Sequence, residues 1–318
     1  MRWLVLFPLA IFLGYAVEGV SPQAYASESN YTDCPASPAA ARTKFRHKRS
    51  RIFAKVGSAR HRGVDLIATE GDENQTLGGK LAYTKADKDL EDEQVELFAC
   101  IGHRWQPLGS TLSDDDGRFS LTITGAARLP VGMTDLYAHV PGDGSGTRFL
   151  GYVAAKDESV IVSDIDGTIT ASENAVFRAV LGMDIGHQPG APEAFAQSGK
   201  TVVYVTARGD QLTHITREWL AAHGFPKGPM RFAKSMVTLP GESTVALKSS
   251  TLDSLGVQIA AGVGNRASDI TAYQNAGLTP DRIFINVPEF SNEIRDQLAA
   301  GNATAFDHYA ELRKALRR

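Results

Sequence analysis

Only two cysteines, Cys34 and Cys100, occur in 318 residues. That excludes a disulfide-dense scaffold and a cysteine-based zinc framework. It leaves two readings: one disulfide tying the N-terminal segment to the domain after it, favoured in an oxidising compartment, or two buried thiols. Past Val17 the chain lacks any apolar run near the roughly 20 residues of a spanning helix, so no internal membrane span is expected. A dominant charge sign is missing as well: 33 basic residues face 36 acidic ones, and the net charge of -3 identifies no class of partner. Acidic residues are locally absent from Arg42 to Arg62.

What is present begins with an address. Met1-Arg2 is a basic start, Trp3 to Val17 an apolar run, and Ala24-Tyr25-Ala26 offers small residues where a signal peptidase cuts. Residues 1–26 therefore read as a signal peptide, with a soluble mature protein exported to the periplasm or outside the cell. The alternative is an uncleaved anchor, for which the run is short. Residues 27–62 form a basic N-terminal segment whose densest part is Arg42 to Arg51. Such a run reads either as a solvated arm or as a contact with an anionic surface, phospholipid or nucleic acid. The exported compartment favours lipid, and no nucleic acid is expected. Phe45, Ile52 and Phe53 offer interfacial burial.

Residues 63–156 read as a small all-β sandwich of immunoglobulin type. Short alternating segments such as 64–68, 94–99, 119–124 and 136–140 are separated by turns at Asp114–Gly117 and Pro141–Gly146. No chemistry is legible there. From Ser159 the pattern changes to β-branched runs at 160–162, 201–205, 257–261 and 283–285, too apolar for half-exposed strands and separated by helical patterns. The clearest helix places Leu212, Ile215, Trp219 and Leu220 on one face before Gly224. Buried strands alternating with helices predict a doubly wound parallel sheet over 157–318, an α/β fold that binds ligands at its strand C-terminal ends.

The first of these strands ends in Asp164-Ile165-Asp166-Gly167-Thr168, with two carboxylates one residue apart and a glycine that permits a sharp turn over them. Alone this is an acidic turn as readily as a site. The next strand ends in Thr206-Ala207-Arg208, Lys248 sits in a predicted helix, and the third strand ends in Asn265-Arg266 with Asp269 four residues after Asn265. Their order and strand-end positions carry the argument.

This set resembles the haloacid dehalogenase superfamily, whose four motifs match Asp164/Asp166, Thr206, Lys248 and Asn265/Asp269. Asp164 to Thr170, Gly186 to Gly190, Val203 to Arg208, and Gly264 to Asp269 with Ala272-Tyr273 are similar to the phosphatidate phosphatase domain of lipins. That LNS2 domain is related to one in phosphatidylinositol-transfer proteins, where Gly224 to Gly228 has a similar counterpart. The resemblance covers about half the chain. It implies a phosphatase with Asp164 as nucleophile, Asp166 as acid and base, and Thr206 and Lys248 on the phosphoryl oxygens. It further implies Mg²⁺ on Asp164, the Asp166 carbonyl, Asn265 and Asp269. Gly167, Thr168, Arg208 and Arg266 are candidate substrate contacts; either arginine is equally a structural residue. The short spans 170–200 and 209–247 leave no room for a large cap, and an open site suits a phospholipid headgroup. Phosphatidate hydrolysis is the leading expectation, beside another open-site phosphomonoester (a nucleic-acid end or phosphoprotein) and a non-catalytic phosphatidate-binding module.

Overall fold

The computed structural model describes residues 33, 34, 36–171, 185–233 and 242–317. The expected leader at 1–26 and part of the spans on which the missing cap was argued lie outside the described residues. Among the described residues, no helix is long and apolar enough to cross a membrane.

The chain runs through α1 (Lys48–Val56), β1 (Arg62–Val64), β2 (Leu66–Thr69), β3 (Asn74–Lys80), β4 (Ala82–Tyr83), β5 (Lys88–Asp89), β6 (Gln94–Ile101), β7 (Arg104–Leu112), β8 (Arg118–Thr124), β9 (Gly132–Val140) and β10 (Ser145–Ala154). One sheet has the order β1-β3-β8, the other β2-β10-β9-β6-β7, and β4 pairs with β5. In β6 every second side chain (Val95, Leu97, Ala99) is buried, as a strand with one face on a core requires. These residues meet Leu77, Leu136 and Phe149 in a shared core. The parallel pairing of β2 with β10 is the departure from an all-antiparallel sandwich.

The predicted strand at 64–68 is in fact two strands, because the chain changes sheets at Asp65. Asp114 makes the expected turn, its carboxylate accepting from the Asp116 and Arg118 amides.

The basic segment differs from a free arm. Glu93 accepts hydrogen bonds from the amides of Arg46 and His47 at the start of α1. Arg46 and His47 pair with Asp92, and Arg49 with Glu91. Phe45 and Phe53 pack against the sandwich core, so neither is available for interfacial burial. Cys34 and Cys100 are joined in a disulfide.

The second half continues through β11 (Ser159–Asp164), α2 (Ala191–Ala196), β12 (Val202–Gly209), α3 (Thr213–Ala222), β13 (Met230–Ala233), α4 (Glu242–Asp253), β14 (Gln258–Gly264), α5 (Ala267–Asn275), β15 (Ile283–Asn286), α6 (Ser291–Ala299), β16 (Thr304–Phe306) and α7 (Tyr309–Ala315). Its six strands are all parallel in the order β13-β12-β11-β14-β15-β16, so β11 is central. Alternate side chains of β11 feed two different cores: Ile161 packs on one face, Val160 and Val162 on the other. This is why the sequence there is continuously apolar. In α3 the buried residues are Thr213, Thr216 and Leu220, while Ile215 is exposed. The face is rotated from the apolar one because Thr216 Oγ1 accepts from Arg208.

The two halves are joined by apolar and polar contacts. Tyr152 and Ala154 of β10 belong to one core of the parallel sheet. Asp65, buried, accepts from Arg217 at 2.8 Å, the Met230 amide at 2.7 Å and the Leu150 amide at 2.8 Å. Nearby, His214 Nε2 lies 2.7 Å from the His61 carbonyl, and Arg62 reaches Asp210 at 3.0 Å.

His61 is buried, its Nδ1 accepting from the Ala82 amide and its Nε2 meeting Ser145 Oγ at 2.8 Å. Burial, against the pull of Asp143, lowers its pKa to about 4. The unfolded chain, with an ordinary histidine near 6.5, therefore binds a proton that the folded chain refuses. Stability is full above about pH 6.5 and falls by about 3 kcal/mol as the pH drops toward 4. We expect His61→Gln to flatten this part of the stability-versus-pH curve measured by urea unfolding. An unchanged slope would contradict it. Reduction or Cys34→Ser should lower stability by about 2–4 kcal/mol in the same assay, given the closed loop of 66 residues. Reductant should have no further effect on the variant.

Candidate active site

Four strand-end segments converge beyond β11. Asp164 is buried at its end, and Gly167 takes a left-handed φ of 74° to turn the chain. A Cβ at that position would stand 2.2 Å from Asn265 Nδ2 and 2.9 Å from Glu289 Oε2, so the turn has room only for glycine. Thr170 Oγ1 accepts from the Gly167 amide, and Tyr309 from α7 donates to the Thr168 carbonyl at 2.5 Å.

Lys248 enters from α4. Its buried ammonium lies 2.8 Å from Asp164 Oδ1 and 2.5 Å from Asp269 Oδ1. Burial works to lower the lysine pKa, but the two carboxylates outweigh it and the net shift is upward. Asp164 is also shifted upward, to about 7: burial pushes its carboxyl up, the pull of Lys248 down is smaller, and Asp269 and Asp166 add to the rise. The second oxygen of Asp164 accepts from Thr168 Oγ1 at 2.9 Å, and the same hydroxyl lies 3.1 Å from Asn265 Oδ1. Thr168, Asn265 and Asp164 are thus one connected group.

Asp269 is fully buried. Its Oδ1 faces Lys248, and its Oδ2 accepts from the Asn265 and Arg266 amides, fixing the loop after β14. Asp166 turns toward a different partner. Arg208, itself buried, holds both of its oxygens through Nε and Nη2 at 2.7–3.1 Å, and Thr206 Oγ1 donates to it at 3.0 Å. Arg266 is more exposed, pairs with Glu293 at 2.8 Å and lies over the Phe290 ring. The structure therefore brings Asp164, Thr168, Lys248, Asn265 and Asp269 together. Thr206 and Arg208 gather on Asp166 beside them, and Arg266 stands apart on Glu293.

Sequence reasoning missed two contributors. Glu289 follows β15, and the rule that ligands gather at strand C-terminal ends would have flagged it. Tyr309 lies in the last helix, far along the chain, where no local signal marks it. His187, in the segment paired with Thr170, packs against His223 and Phe225 and shapes the loop under the site.

The family model described as the LNS2 domain of PITM 1-3 matches residues 161–286, and that of the PITM 1-3 beta-sandwich domain matches residues 59–153. Membrane-associated phosphatidylinositol transfer protein 1 of Homo sapiens is 27% identical over 284 residues, covering 87% of this chain and 22% of that protein. Protein retinal degeneration B of Drosophila melanogaster is 30% identical over 256 residues, covering 78% and 20%. The chain spans about a fifth of the length of these curated relatives. Among solved structures, a β-glucuronidase of Bacteroides uniformis is 11% identical over 82% of this chain and 31% of that one, at a TM-score of 0.26, too low to bear on the fold. The chain thus carries two consecutive domains of the PITM 1-3 family, first the β-sandwich domain and then the LNS2 domain.

Proposed function

We propose that the C-terminal domain is a Mg²⁺-dependent phosphomonoester hydrolase of haloacid-dehalogenase type, acting on phosphatidate at a membrane surface. The observation that carries this reading is the position of Lys248 between Asp164 and Asp269, with Thr168 linking Asp164 to Asn265. A buried acidic strand end is common, but a buried lysine on its carboxylate offsets the charge of a dianionic substrate, and an amide oxygen linked to it through Thr168 suits a cation that would offset the rest. The names of the relatives, which describe membrane-associated phosphatidylinositol transfer proteins, support a phospholipid ligand and a peripheral membrane location. Export, expected from residues 1–26, is part of the same proposal.

The residues fit a magnesium ion held by few protein groups. Asn265 Nδ2 is buried without a hydrogen-bond partner among the described residues, a donor suited to a phosphoryl oxygen, while its Oδ1 is the oxygen that suits the ion. No group of three or more His, Cys, Asp or Glu there is arranged to hold a metal. The donors would instead be one Asp164 oxygen, the Asp166 carbonyl and Asn265 Oδ1, a sparse oxygen set suited to an ion that keeps several waters. Asp269, expected as a fourth donor, has its oxygens on Lys248 and two amides, so any part it takes runs through water. Bound there, the ion would neutralise charge on the phosphoryl group.

An Asp164 oxygen attacks phosphorus in line, the bond from phosphorus to the ester oxygen breaks, and the phosphoryl group rests on Asp164 as an aspartyl-phosphate. Lys248 and Thr206 hold the transferring oxygens. Asp166 gives a proton to the leaving alkoxide and later takes one from the water that releases phosphate. For this its pair with Arg208 must open, which a substrate phosphate competing for the guanidinium would achieve.

The clamp of Arg208 and Thr206 on Asp166 favours a second reading, a phosphatidate-binding module without turnover. The two separate in one assay: phosphate release from phosphatidate in mixed micelles with Mg²⁺, beside p-nitrophenyl phosphate and phosphorylated oligonucleotides. The enzyme reading expects release that Asp164→Asn abolishes on every substrate and Asp166→Asn lowers by roughly 10²–10⁴-fold, with phosphatidate binding retained. Tight binding with no release by the native protein would establish the second reading. Lys248→Met should in addition destabilise the fold by about 3–5 kcal/mol, because it leaves two buried carboxylates unopposed; near-native urea unfolding would contradict the geometry described above.

A further inference from the structure

The first helix displays a surface that the fold itself does not use. α1 is fastened along one side: Ser50 is buried, and Phe53 and Ala54 pack against the sandwich core. Along the other side Lys48, Arg51, Ile52, Lys55 and Val56 are all exposed. At 100° per residue these five fall within a single arc of about 140°. Ile52 and Val56 are 56% and 70% exposed, the highest values among the large hydrophobic residues described. The cations on this arc also differ from their neighbours. Arg46 and Arg49 are engaged by Asp92 and Glu91, whereas Lys48, Arg51 and Lys55 form no ion pair among the described residues.

We propose that this face of α1 docks on an anionic phospholipid bilayer, with Ile52 and Val56 entering the boundary between headgroups and acyl chains. Lys48, Arg51 and Lys55 rest among the headgroup phosphates. An apolar pair beside a row of cations, on a helix held against the protein surface, is the pattern of an interfacial helix. Nucleic acid would use the cations but gain nothing from the two β-branched aliphatic side chains beside them. A second copy of the chain, packed symmetrically through the same face, would set lysine and arginine against their own kind. The surface is built from the sandwich side of the molecule, so the proposal does not depend on the chemistry at Asp164.

The test is co-sedimentation of the full chain with phosphatidylcholine vesicles, with and without phosphatidylserine. Phosphatidylserine separates this surface from a phosphatidate-specific site, and the quantity read is the gain in binding it produces. That gain should fall with added salt. Lys48→Gln, Arg51→Gln and Lys55→Gln together should reduce it roughly 100-fold, from about fivefold per cation. Ile52→Asn with Val56→Asn should weaken binding without altering its salt dependence. Hydrolysis of p-nitrophenyl phosphate should be the same in all of these variants, and their urea unfolding should match the native protein. The proposal is overturned if the triple variant keeps the native gain. Binding of the native protein to duplex DNA but not to anionic vesicles would also overturn it, as would a dimer in sedimentation velocity that the Ile52 and Val56 changes dissolve.

Discussion

A buried ammonium between two buried carboxylates is the interaction around which the C-terminal half is organised. Asp164 ends β11 and Asp269 lies in the first turn of α5, just after the adjacent strand β14, and neither would be tolerated ionised and alone in so dry a place. Lys248 makes them compatible, and in doing so fixes α4 against the ends of β11 and β14. Asp269 then has an oxygen left to hold the amides that start α5. Asp164 has one left for Thr168 and, through it, Asn265. The same contacts that satisfy the fold therefore leave a carboxylate with one oxygen facing an ammonium and the other facing the Thr168 hydroxyl that links it to Asn265.

The β-sandwich contributes rigidity to that arrangement from one side. Asp65 sits where the chain crosses between the two sandwich sheets, and its carboxylate is shared by Leu150 in one domain and by Arg217 and Met230 in the other. A buried carboxylate satisfied by three donors from separate elements fixes their relative positions more narrowly than apolar contact alone. Arg62 and Asp210 extend the seam to the residue after Gly209, close to the end of β12 that carries Thr206 and Arg208. The route from seam to site is short.

Much of this is legible in the sequence. The parallel sheet followed from runs such as Val160 to Val162, whose lack of alternation has its cause in two cores on the two faces of β11. The gathering of Asp164, Asn265 and Asp269 follows from strand-end order, and that of Lys248, which sits in a helix, from the motif order of the resemblance. The partners of each charge were not legible. Asp166 and Arg208 are 42 residues apart, and nothing local says that one will grip the other. Arg46 and Arg49 looked like part of a free basic arm because the acids that answer them, Glu91 and Asp92, are supplied by a distant turn. Ile215 looked buried because apolar periodicity cannot foresee that two threonines on α3 are wanted inward, one of them by Arg208.

The account rests on Asp164 being a nucleophile and not merely a binding group. Mass spectrometry of protein quenched in acid during turnover of phosphatidate with Mg²⁺ tests this directly. The account expects a phosphate adduct on the peptide containing Asp164, absent without Mg²⁺ and absent in Asp164→Asn. Phosphate release with no adduct on that peptide, or an adduct carried by another residue, would contradict it.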